Sequence, residues 1–177
     1  MQIVVPDEFK YLYVQDEERP IVKVPADVLL AKAAEVERVT KRHQMIADNM
    51  VRIMRDARGI GLAAPQIGIS ERFIVVAPEG KPMIIFNPII TKAEGSQIGE
   101  EGCLSIPGLY GDVERAEYVE VTGLDRKGRE SVWEMEDLAA RVLQHEIDHL
   151  DGVLFTEKVD IATVYWQHPS QQATRSE

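Results

Sequence analysis

Hydrophobic residues between positions 40 and 57 recur with the period of an α-helix. Their spacing follows the 3.6-residue turn and places them on one face; this face consists of Ile46, Met50, Ile53, Met54 and Ala57. An apolar face of this kind normally packs into a core, so its methionines are interpreted as packing residues and not as ligands. Arg58 and Gly59 follow, and we expect Gly59 to adopt the left-handed conformation that ends the helix.

Shorter apolar runs further along the chain predict β-strands. The runs are Phe73–Val76, Met83–Phe86, Tyr118–Leu124 and Glu130–Glu136. Turn residues at 80–82 separate the first two runs and turn residues at 125–128 separate the last two, which indicates antiparallel pairs. Residues 138–150 are predicted to be helical, with Asp137 as the N-cap.

These elements predict an α+β fold in which short, mostly antiparallel sheets pack around a central helix. The length of 177 residues favours a single domain that spans the whole chain. Residues 1–24 are interpreted as an N-terminal extension, which the sequence leaves either packed on the domain or mobile. Residues 167–177 are polar and are predicted to form a flexible tail.

The predicted central helix carries the sequence His-Glu-Ile-Asp-His at 145–149. Positions i and i+4 lie on the same face of a helix, so His145 and His149 can direct their imidazoles at one metal ion. Glu146 lies beside them and can act as a general base. Because this motif fixes only three positions and a catalytic zinc-type site has three protein ligands, a further ligand is needed.

Two places in the chain could supply the third ligand. One metalloprotease class continues with Gly-x-x-His after the motif, but this chain has Gly152 followed by Phe155, which cannot bind a metal. A carboxylate ligand downstream, such as Glu157, remains open. Cys103, the one cysteine of the chain, is flanked by glycine and polar residues, and a thiolate is a strong ligand for a borderline-soft divalent ion.

Three blocks of sequence, in this order, resemble the peptide deformylase family. They are Gly59–Gln66, Glu101–Ser105 and Gln144–His149. Enzymes of this family remove the formyl group from the N-terminal methionine of new bacterial proteins. The resemblance covers about residues 25–160 and implies a hydrolase that releases formate from N-formyl-methionine peptides of nascent chains.

The resemblance implies roles for individual residues. Cys103, His145 and His149 correspond to the metal ligands, and Glu146 to the residue that moves the proton. The side-chain amide of Gln66 and the backbone N–H of Leu104 correspond to the groups that stabilise the developing oxyanion. The implied substrate-binding residues are Ile60, Gly61, Gly102, Leu138 and Val142, with Arg141 and Tyr110 at the mouth of the pocket.

The family usually works with ferrous iron in the cell, so the resemblance implies one divalent ion, Fe²⁺, at this site. His and Cys ligands also suit Zn²⁺, Ni²⁺ or Co²⁺ in purified protein. The partners implied are nascent formyl-methionine peptides, with a transient contact to the ribosome.

Composition limits location and other partners. The net charge of −10 argues against direct binding to DNA or to an anionic membrane. One cysteine excludes an intramolecular disulfide framework. Neither a secretory signal nor a long apolar segment is present, so the sequence predicts a cytoplasmic protein; the resemblance implies one of bacterial type.

Two other classes of function stay open at this point. One is a peptidase of the His-Glu-x-x-His kind, which Phe155 disfavours. The other is a binding protein with a structural metal, which requires a fourth ligand. The two remaining histidines, His43 and His168, are both expected at the surface, so neither is expected to complete such a site.

Overall fold

A computed structural model describes residues 3–168. This part of the chain contains two α-helices and eight β-strands, with short 3-10 helices between them. The α-helices are α1 (Lys41–Asp56) and α2 (Asp137–Leu150). The strands are β1 (Gly61–Ala63), β2 (Phe73–Val76), β3 (Met83–Glu94), β4 (Gln97–Cys103), β5 (Ile106–Arg115), β6 (Tyr118–Leu124), β7 (Glu130–Glu136) and β8 (Tyr165–Trp166).

A five-stranded antiparallel sheet in the order β1-β2-β3-β6-β7 separates the two α-helices. Strand β2 shows this arrangement because all four of its residues are buried. Phe73 and Val75 belong to the core cluster of α1, whereas Ile74 and Val76 belong to the cluster of α2. Alternate side chains of a strand point to opposite faces, so each face of the sheet buries one helix.

A second antiparallel sheet has the order β4-β5-β8. Its buried side chains form a third cluster with the chain that follows α2, including Cys103, Leu109, Phe155 and Val159. Helix α2 also contacts β1, β2, β6 and β7 of the first sheet. The α+β prediction with a central motif helix is confirmed, although β3 and β5, with 12 and 10 residues, are longer than the short strands expected.

Local patterns also predicted several boundaries correctly. Helix α1 covers the predicted segment, with Thr40 as its N-cap. The hairpin of β6 and β7 occurs as predicted, and Gly128 in its turn has a φ of 77°. The turn before Met83 also occurs, and Gly80 there has a φ of 84°.

Both predicted helix-end residues were wrong. Arg58, with a φ of 56°, is the left-handed residue after α1, and Gly59 is not in that region. Asp137 is the first residue of α2 and has a φ of 49°, while Glu136 is the N-cap and makes no side-chain capping bond. The Asp137 N–H instead donates to the Glu117 carbonyl at 2.9 Å, so a long-range backbone bond stabilises this end.

The N-terminal extension packs on the second sheet. Phe9, within a 3-10 helix of residues 7–13, is 6% exposed, and its ring centroid lies 5.2 Å from that of Trp166 in β8. The Gln167 N–H donates to the Gly108 carbonyl at 2.8 Å. The tail predicted for 167–177 lies outside the described residues from position 169 onward.

Candidate metal and catalytic site

Strand β4 and helix α2 bring one thiol and two imidazoles together. Cys103 ends β4, and His145 and His149 lie one turn apart on α2. One ligand atom from each residue lies within 4.8 Å of the others, and the Cys103 Sγ is 3.3 Å from His149 Nε2. These donors suit a borderline-soft divalent ion, and three protein ligands leave one position for water or substrate.

Glu101 determines which nitrogen of His145 faces the other ligands. Its Oε2 lies 2.9 Å from His145 Nδ1, so the ring donates Nδ1–H to the carboxylate and leaves Nε2 as the acceptor. A metal-binding histidine usually has such a partner, which fixes its tautomer and orientation. The sequence could not identify this partner because Glu101 lies on β4 and His145 on α2.

Charges within this cluster favour the thiolate. Burial acts to raise the pKa of Cys103, but attraction and hydrogen bonds from His149 and His145 outweigh it, so the pKa lies well below its usual value. Burial acts to lower the pKa of His145, but hydrogen bonds to Cys103 and Glu101 raise it to about 10. A lowered pKa favours the thiolate form of Cys103, which is the form that binds a metal ion.

Glu146 lies in the same buried space and faces β1. It is 5% exposed, and a Cβ built on Gly61 would come within 2.3 Å of its Oε1. Its Oε2 is buried without a hydrogen-bond partner among residues 3–168. Burial raises the pKa of Glu146 to about 7. A buried carboxylate oxygen without a partner can accept a hydrogen bond from a ligand or from bound water.

Gln66 lies beside Cys103, and a hydrogen bond fixes the orientation of its side-chain amide. Its Oε1 accepts a hydrogen bond from the Ala63 N–H at 2.9 Å, which places the amide nitrogen on the opposite side. That nitrogen lies 3.2 Å from Ser105 Oγ and 3.6 Å from Cys103 Sγ. Leu104 follows Cys103 directly, so its backbone N–H lies next to the ligand.

Arginines surround the Glu101 carboxylate and neutralise it. Arg115 donates from Nε and from Nη2, each at 2.9 Å, and Arg141 Nη1 donates at 2.8 Å. Asp148 binds Arg115 from the other side, and Lys158 pairs with Asp148 at 2.7 Å. Glu101 and Arg115 therefore form a buried ion pair.

Arg141, expected at the mouth of the pocket, is buried. It is 6% exposed, and its guanidinium donates to the carbonyls of Gly99, Val113 and Gln97 as well as to Glu101. Only the fold could show this, because these acceptors lie on the strands of the second sheet. Arg141 therefore links α2 to the strands that hold Cys103.

The residues predicted to bind substrate have different surroundings. Gly61 begins β1 and Gly102 lies near the end of β4, and each of these strands is an edge of its sheet within residues 3–168. Ile60 and Leu138 are 41% and 51% exposed, whereas Val142 is buried in the α2 cluster. Leu138 also lines a surface depression of about 550 Å³, whose lining includes none of the three metal-ligand candidates.

His43 is not at the surface, contrary to expectation. It is 8% exposed, and its Nδ1 accepts a hydrogen bond from the Thr40 N–H at 3.1 Å at the start of α1. Its ring packs edge-on against Phe73 and Phe86. Among residues 3–168, the group of metal-binding side chains contains Cys103, His145 and His149 only.

The fold and this site together define a class of protein: an α+β protein with a three-donor metal-ligand set and a buried carboxylate beside it. Family comparison is consistent with this class. The family described as polypeptide deformylase matches residues 18–163, starting earlier than the resemblance seen near residue 25.

Relatives with known names are similar over most of the chain. The peptide deformylase of Symbiobacterium thermophilum is 50% identical over 141 residues, which cover 78% of this chain and 65% of that protein. The peptide deformylase of Syntrophomonas wolfei is 50% identical over 138 residues, which cover 78% of this chain and 91% of that protein.

Solved structures show the same fold. The peptide deformylase of Thermotoga maritima has a TM-score of 0.78 and 35% identity, covering 79% of this chain and 96% of that one. The enzyme of Synechococcus elongatus in complex with actinonin has a TM-score of 0.77 and 41% identity, covering 80% of each chain. The chain belongs to the polypeptide deformylase family, whose members are metal-dependent enzymes.

Proposed function

We propose that this chain removes the N-formyl group from the N-terminal formyl-methionine of new polypeptides and releases formate. The observation that carries the proposal is the convergence of Cys103, His145 and His149 within 4.8 Å, beside the buried carboxylate of Glu146. Similarity to named deformylases over 78% of the chain supports the same function.

Cys103 Sγ, His145 Nε2 and a nitrogen of His149 would hold one divalent ion, which we propose to be Fe²⁺ in the cell. The bound ion would acidify a water molecule and polarise the formyl carbonyl. Zn²⁺, Ni²⁺ and Co²⁺ suit the same donors and can occupy the site in purified protein. Glu101 fixes the orientation of His145 through the 2.9 Å contact to Nδ1.

Glu146 moves the proton in the proposed reaction. Its carboxylate accepts a proton from the attacking water and then delivers it to the departing amine of methionine. Burial brings its pKa to about 7, near the pH at which both steps have to occur. Its partnerless Oε2 is the oxygen that is available for this transfer.

Gln66 and Leu104 stabilise the negative charge on the formyl oxygen. The Gln66 amide nitrogen lies next to Cys103, and the Ala63 N–H holds its oxygen at 2.9 Å. This bond prevents the amide from flipping, so N–H and not C=O faces the reacting group. Each oriented donor of this kind is typically worth about 3–4 kcal/mol in the transition state.

The substrate backbone lies between the two edge strands β1 and β4. Gly61 and Gly102 allow close approach of an extended peptide, which can add to an edge by main-chain hydrogen bonds. We propose that Ile60, Leu138 and Val142 contact the methionine side chain. Their different exposure, from 51% for Leu138 to 6% for Val142, would give the pocket an open end and a buried end.

We also propose that residues 1–177 act as one domain, with 1–24 as an extension and 167–177 as a flexible tail, in the bacterial cytoplasm. Within the described chain, neither α-helix could span a membrane. Nascent peptides are the proposed partners, with a transient ribosome contact, and DNA binding is not expected at a net charge of −10.

One assay tests this function against peptidase activity. A formyl-Met peptide is incubated with the Fe²⁺- or Co²⁺-loaded protein, and formate release and internal cleavage are measured together. We expect formate without internal cleavage. Internal cleavage alone would indicate a peptidase. If neither formate nor cleaved peptide were formed, the protein would be a metal-binding protein without catalytic activity.

Two variants separate metal binding from catalysis. Glu146→Ala should retain the metal and lose most turnover, because the three ligands remain while the proton acceptor is gone. Cys103→Ala should lose metal, because one of three ligands is removed. Metal content by atomic spectroscopy and formate release are measured on both. Near-normal turnover of Glu146→Ala would contradict the proton-transfer role.

A further inference from the structure

Two short segments from distant parts of the chain meet beside the Cys103 sulfur. Leu104 and Ser105 form the two-residue turn between β4 and β5, where Cys103 pairs with Ile106. Gln66 lies in the short 3-10 helix that follows β1. The two donors proposed for the formyl oxygen, the Gln66 amide and the Leu104 N–H, therefore belong to different segments. Their relative position depends on contacts between those segments.

Ser105 makes such a contact with its side chain. Its hydroxyl oxygen lies 3.2 Å from the amide nitrogen of Gln66, and its backbone N–H donates to Cys103 Sγ at 3.4 Å. Ser105 is 0% exposed and Gln66 is 2% exposed, so bulk water does not compete for the bond between them. The Ser105 hydroxyl therefore connects Gln66 to the turn that carries the Leu104 N–H.

Two hydrogen bonds determine the direction of the Gln66 amide. The Ala63 N–H donates to Oε1 at 2.9 Å, so the amide nitrogen lies on the other side, where it can only donate. One of its N–H groups is directed at Ser105 Oγ. The nitrogen also lies 3.6 Å from Cys103 Sγ, so the second N–H lies on the side of the metal-ligand candidates. The bond from Ala63 alone would fix the oxygen but not the direction of this second N–H.

Backbone hydrogen bonds hold both residues in place independently of the serine hydroxyl. The Val22 N–H donates to the Gln66 carbonyl at 2.8 Å, and the Val24 N–H donates to the Ser105 carbonyl at 3.1 Å. These bonds connect the 3-10 helix and the turn to one neighbouring segment of the chain. Replacing Ser105 by alanine therefore removes one side-chain contact and leaves the backbone bonds of the turn intact.

Resting on the proposed function, we propose that Ser105 is a positioning residue for Gln66: its hydroxyl accepts one N–H of the amide and thereby directs the other N–H towards the oxygen of the formyl group. Because Ser105 follows Leu104 directly, the same contact fixes the position of the Gln66 donor relative to the Leu104 N–H. Donors of this kind stabilise a transition state when they already point to the place where charge develops.

Steady-state kinetics on a formyl-Met peptide tests this role in the full-length protein loaded with Co²⁺. Ser105→Ala should lower kcat by about tenfold with little change in KM, a smaller loss than the roughly 10²- to 10³-fold cost of removing a donor outright, because the amide remains but is no longer directed. Metal content should stay unchanged, because the three ligand candidates remain. An unchanged kcat, or a loss of peptide affinity at constant kcat, would overturn the proposal.

A double-mutant cycle tests whether Ser105 acts through Gln66. In the Gln66→Leu protein the amide is absent, so adding Ser105→Ala should cause no further loss of kcat. Residues that act as one unit show this departure from additivity, whereas independent residues do not. If the two losses of kcat multiplied, Ser105 would act independently of the amide and the proposal would be wrong.

Thr156→Val is the matched control. It also removes a buried hydroxyl, but Thr156 lies in the 3-10 helix of residues 155–157, after α2. Its kcat should equal that of the unchanged protein. An equal loss of kcat in Thr156→Val and Ser105→Ala would show that any lost buried hydroxyl loosens the site, and would contradict a specific role of Ser105.

The Gln66 amide also gives a readout that does not depend on activity. In the ¹⁵N–¹H spectrum of the Zn²⁺-loaded protein, its NH₂ signals are identified by their loss in Gln66→Leu. Ser105→Ala should move the bonded proton upfield, because it loses its acceptor, and Thr156→Val should leave it in place. The same spectrum shows whether each variant is folded, and an unmoved signal in Ser105→Ala would overturn the proposal.

The kinetic measurements also separate the two hypotheses. Absence of formate release from the unchanged protein would contradict the proposed function, and with it the part of Ser105 in the reaction. Normal formate release from both the unchanged protein and Ser105→Ala would contradict the role of Ser105 alone.

Discussion

Glu101 and Asp125 are both carboxylates bound by an arginine, but they lie in opposite environments. Glu101, beside the metal-ligand candidates, is 6% exposed and receives Arg115 on both of its oxygens. Asp125, in the turn between β6 and β7, receives two bonds from Arg129 on one oxygen, and that arginine is 69% exposed. Both are pairs of a carboxylate and an arginine, and burial is the main difference in their surroundings.

The difference in burial between these two pairs determines where charge has a structural role in this protein. Burial acts to raise the pKa of Glu101, yet hydrogen bonds from Arg115 and His145 hold it well below its usual range. Water surrounds the pair in the turn and screens its attraction, so it contributes little. Removing a partner from the buried network leaves an uncompensated charge, which is strongly unfavourable.

Glu101→Gln should have the largest effect. It removes the buried negative charge that Arg115 and Arg141 share and replaces one of the two acceptor oxygens by an NH₂ donor, so Arg115 and His145 can no longer both be fully bonded. We expect a loss of about 3–5 kcal/mol in the free energy of unfolding and a 10- to 100-fold weaker affinity for the metal. Denaturant unfolding and chelator competition measure the two effects. A variant with unchanged metal affinity would show that Glu101 does not orient the ligand.

Gln66→Leu tests an uncharged member of the same buried region. The amide interaction strengthens only as charge develops on the formyl oxygen, so kcat should fall by about 10²- to 10³-fold with little change in KM. Steady-state kinetics on a formyl-Met peptide measures kcat and KM separately, and metal content serves as the control. Loss of affinity at constant kcat would indicate that Gln66 only binds the peptide.

Asp148→Asn should have an intermediate effect. Asp148 bonds Arg115 and Lys158, and its side chain is 17% exposed, much like that of Asp125, but its partner Arg115 is only 2% exposed whereas Arg129 is 69% exposed. The neutral amide keeps the shape but loses the charge, so we expect a loss of about 1.5–3 kcal/mol, typical of a hydrogen bond to a charged group. Denaturant unfolding beside Glu101→Gln gives the comparison. An equal loss of unfolding free energy in both variants would show that the effect does not depend on burial.

Asp125→Asn should have the smallest effect and a different pH dependence. Hydrogen bonds from Arg129 lower the pKa of Asp125 to about 2, so its contribution is present at neutral pH and is lost as pH falls from about 4 towards 2. The Tm of the variant should lie slightly below that of the unchanged protein at pH 6, and the difference should shrink by pH 3. A difference in Tm that stayed the same from pH 6 to pH 3 would show that the substitution acts through turn geometry and not through the charge of Asp125.

Local patterns in the sequence predicted the elements that depend on neighbouring residues. The apolar face from Ile46 to Ala57 predicted α1, and the turn before Gly128 predicted the hairpin. The three sequence blocks also indicated which side chains could meet at the site, and Cys103, His145 and His149 do lie together. For α1, the hairpin and the pair of His145 and His149, helix or turn geometry fixes the spacing over a few residues, whereas the family resemblance assigned Cys103 to the same site.

Features that depend on distant parts of the chain could not be predicted in this way. Glu101 contacts His145, 44 residues away, and only the pairing of β4 with the rest of its sheet brings it there. His43 looked like a surface residue because its aromatic partners Phe73 and Phe86 lie on strands of the first sheet. The left-handed φ of Arg58 was missed because Gly59, the residue that favours it, stands one position later.

The pairing of Leu109 with Trp166 has a consequence for the order of folding during translation. The ribosome makes Phe9 before both α-helices and all eight strands, but its aromatic partner Trp166 leaves the ribosome only after both α-helices and every strand before β8. Contacts between such distant segments form late, because the intervening chain must be ordered first. We therefore expect the surroundings of Cys103 to close only after β8 has left the ribosome, so stable metal uptake would follow the synthesis of Trp166.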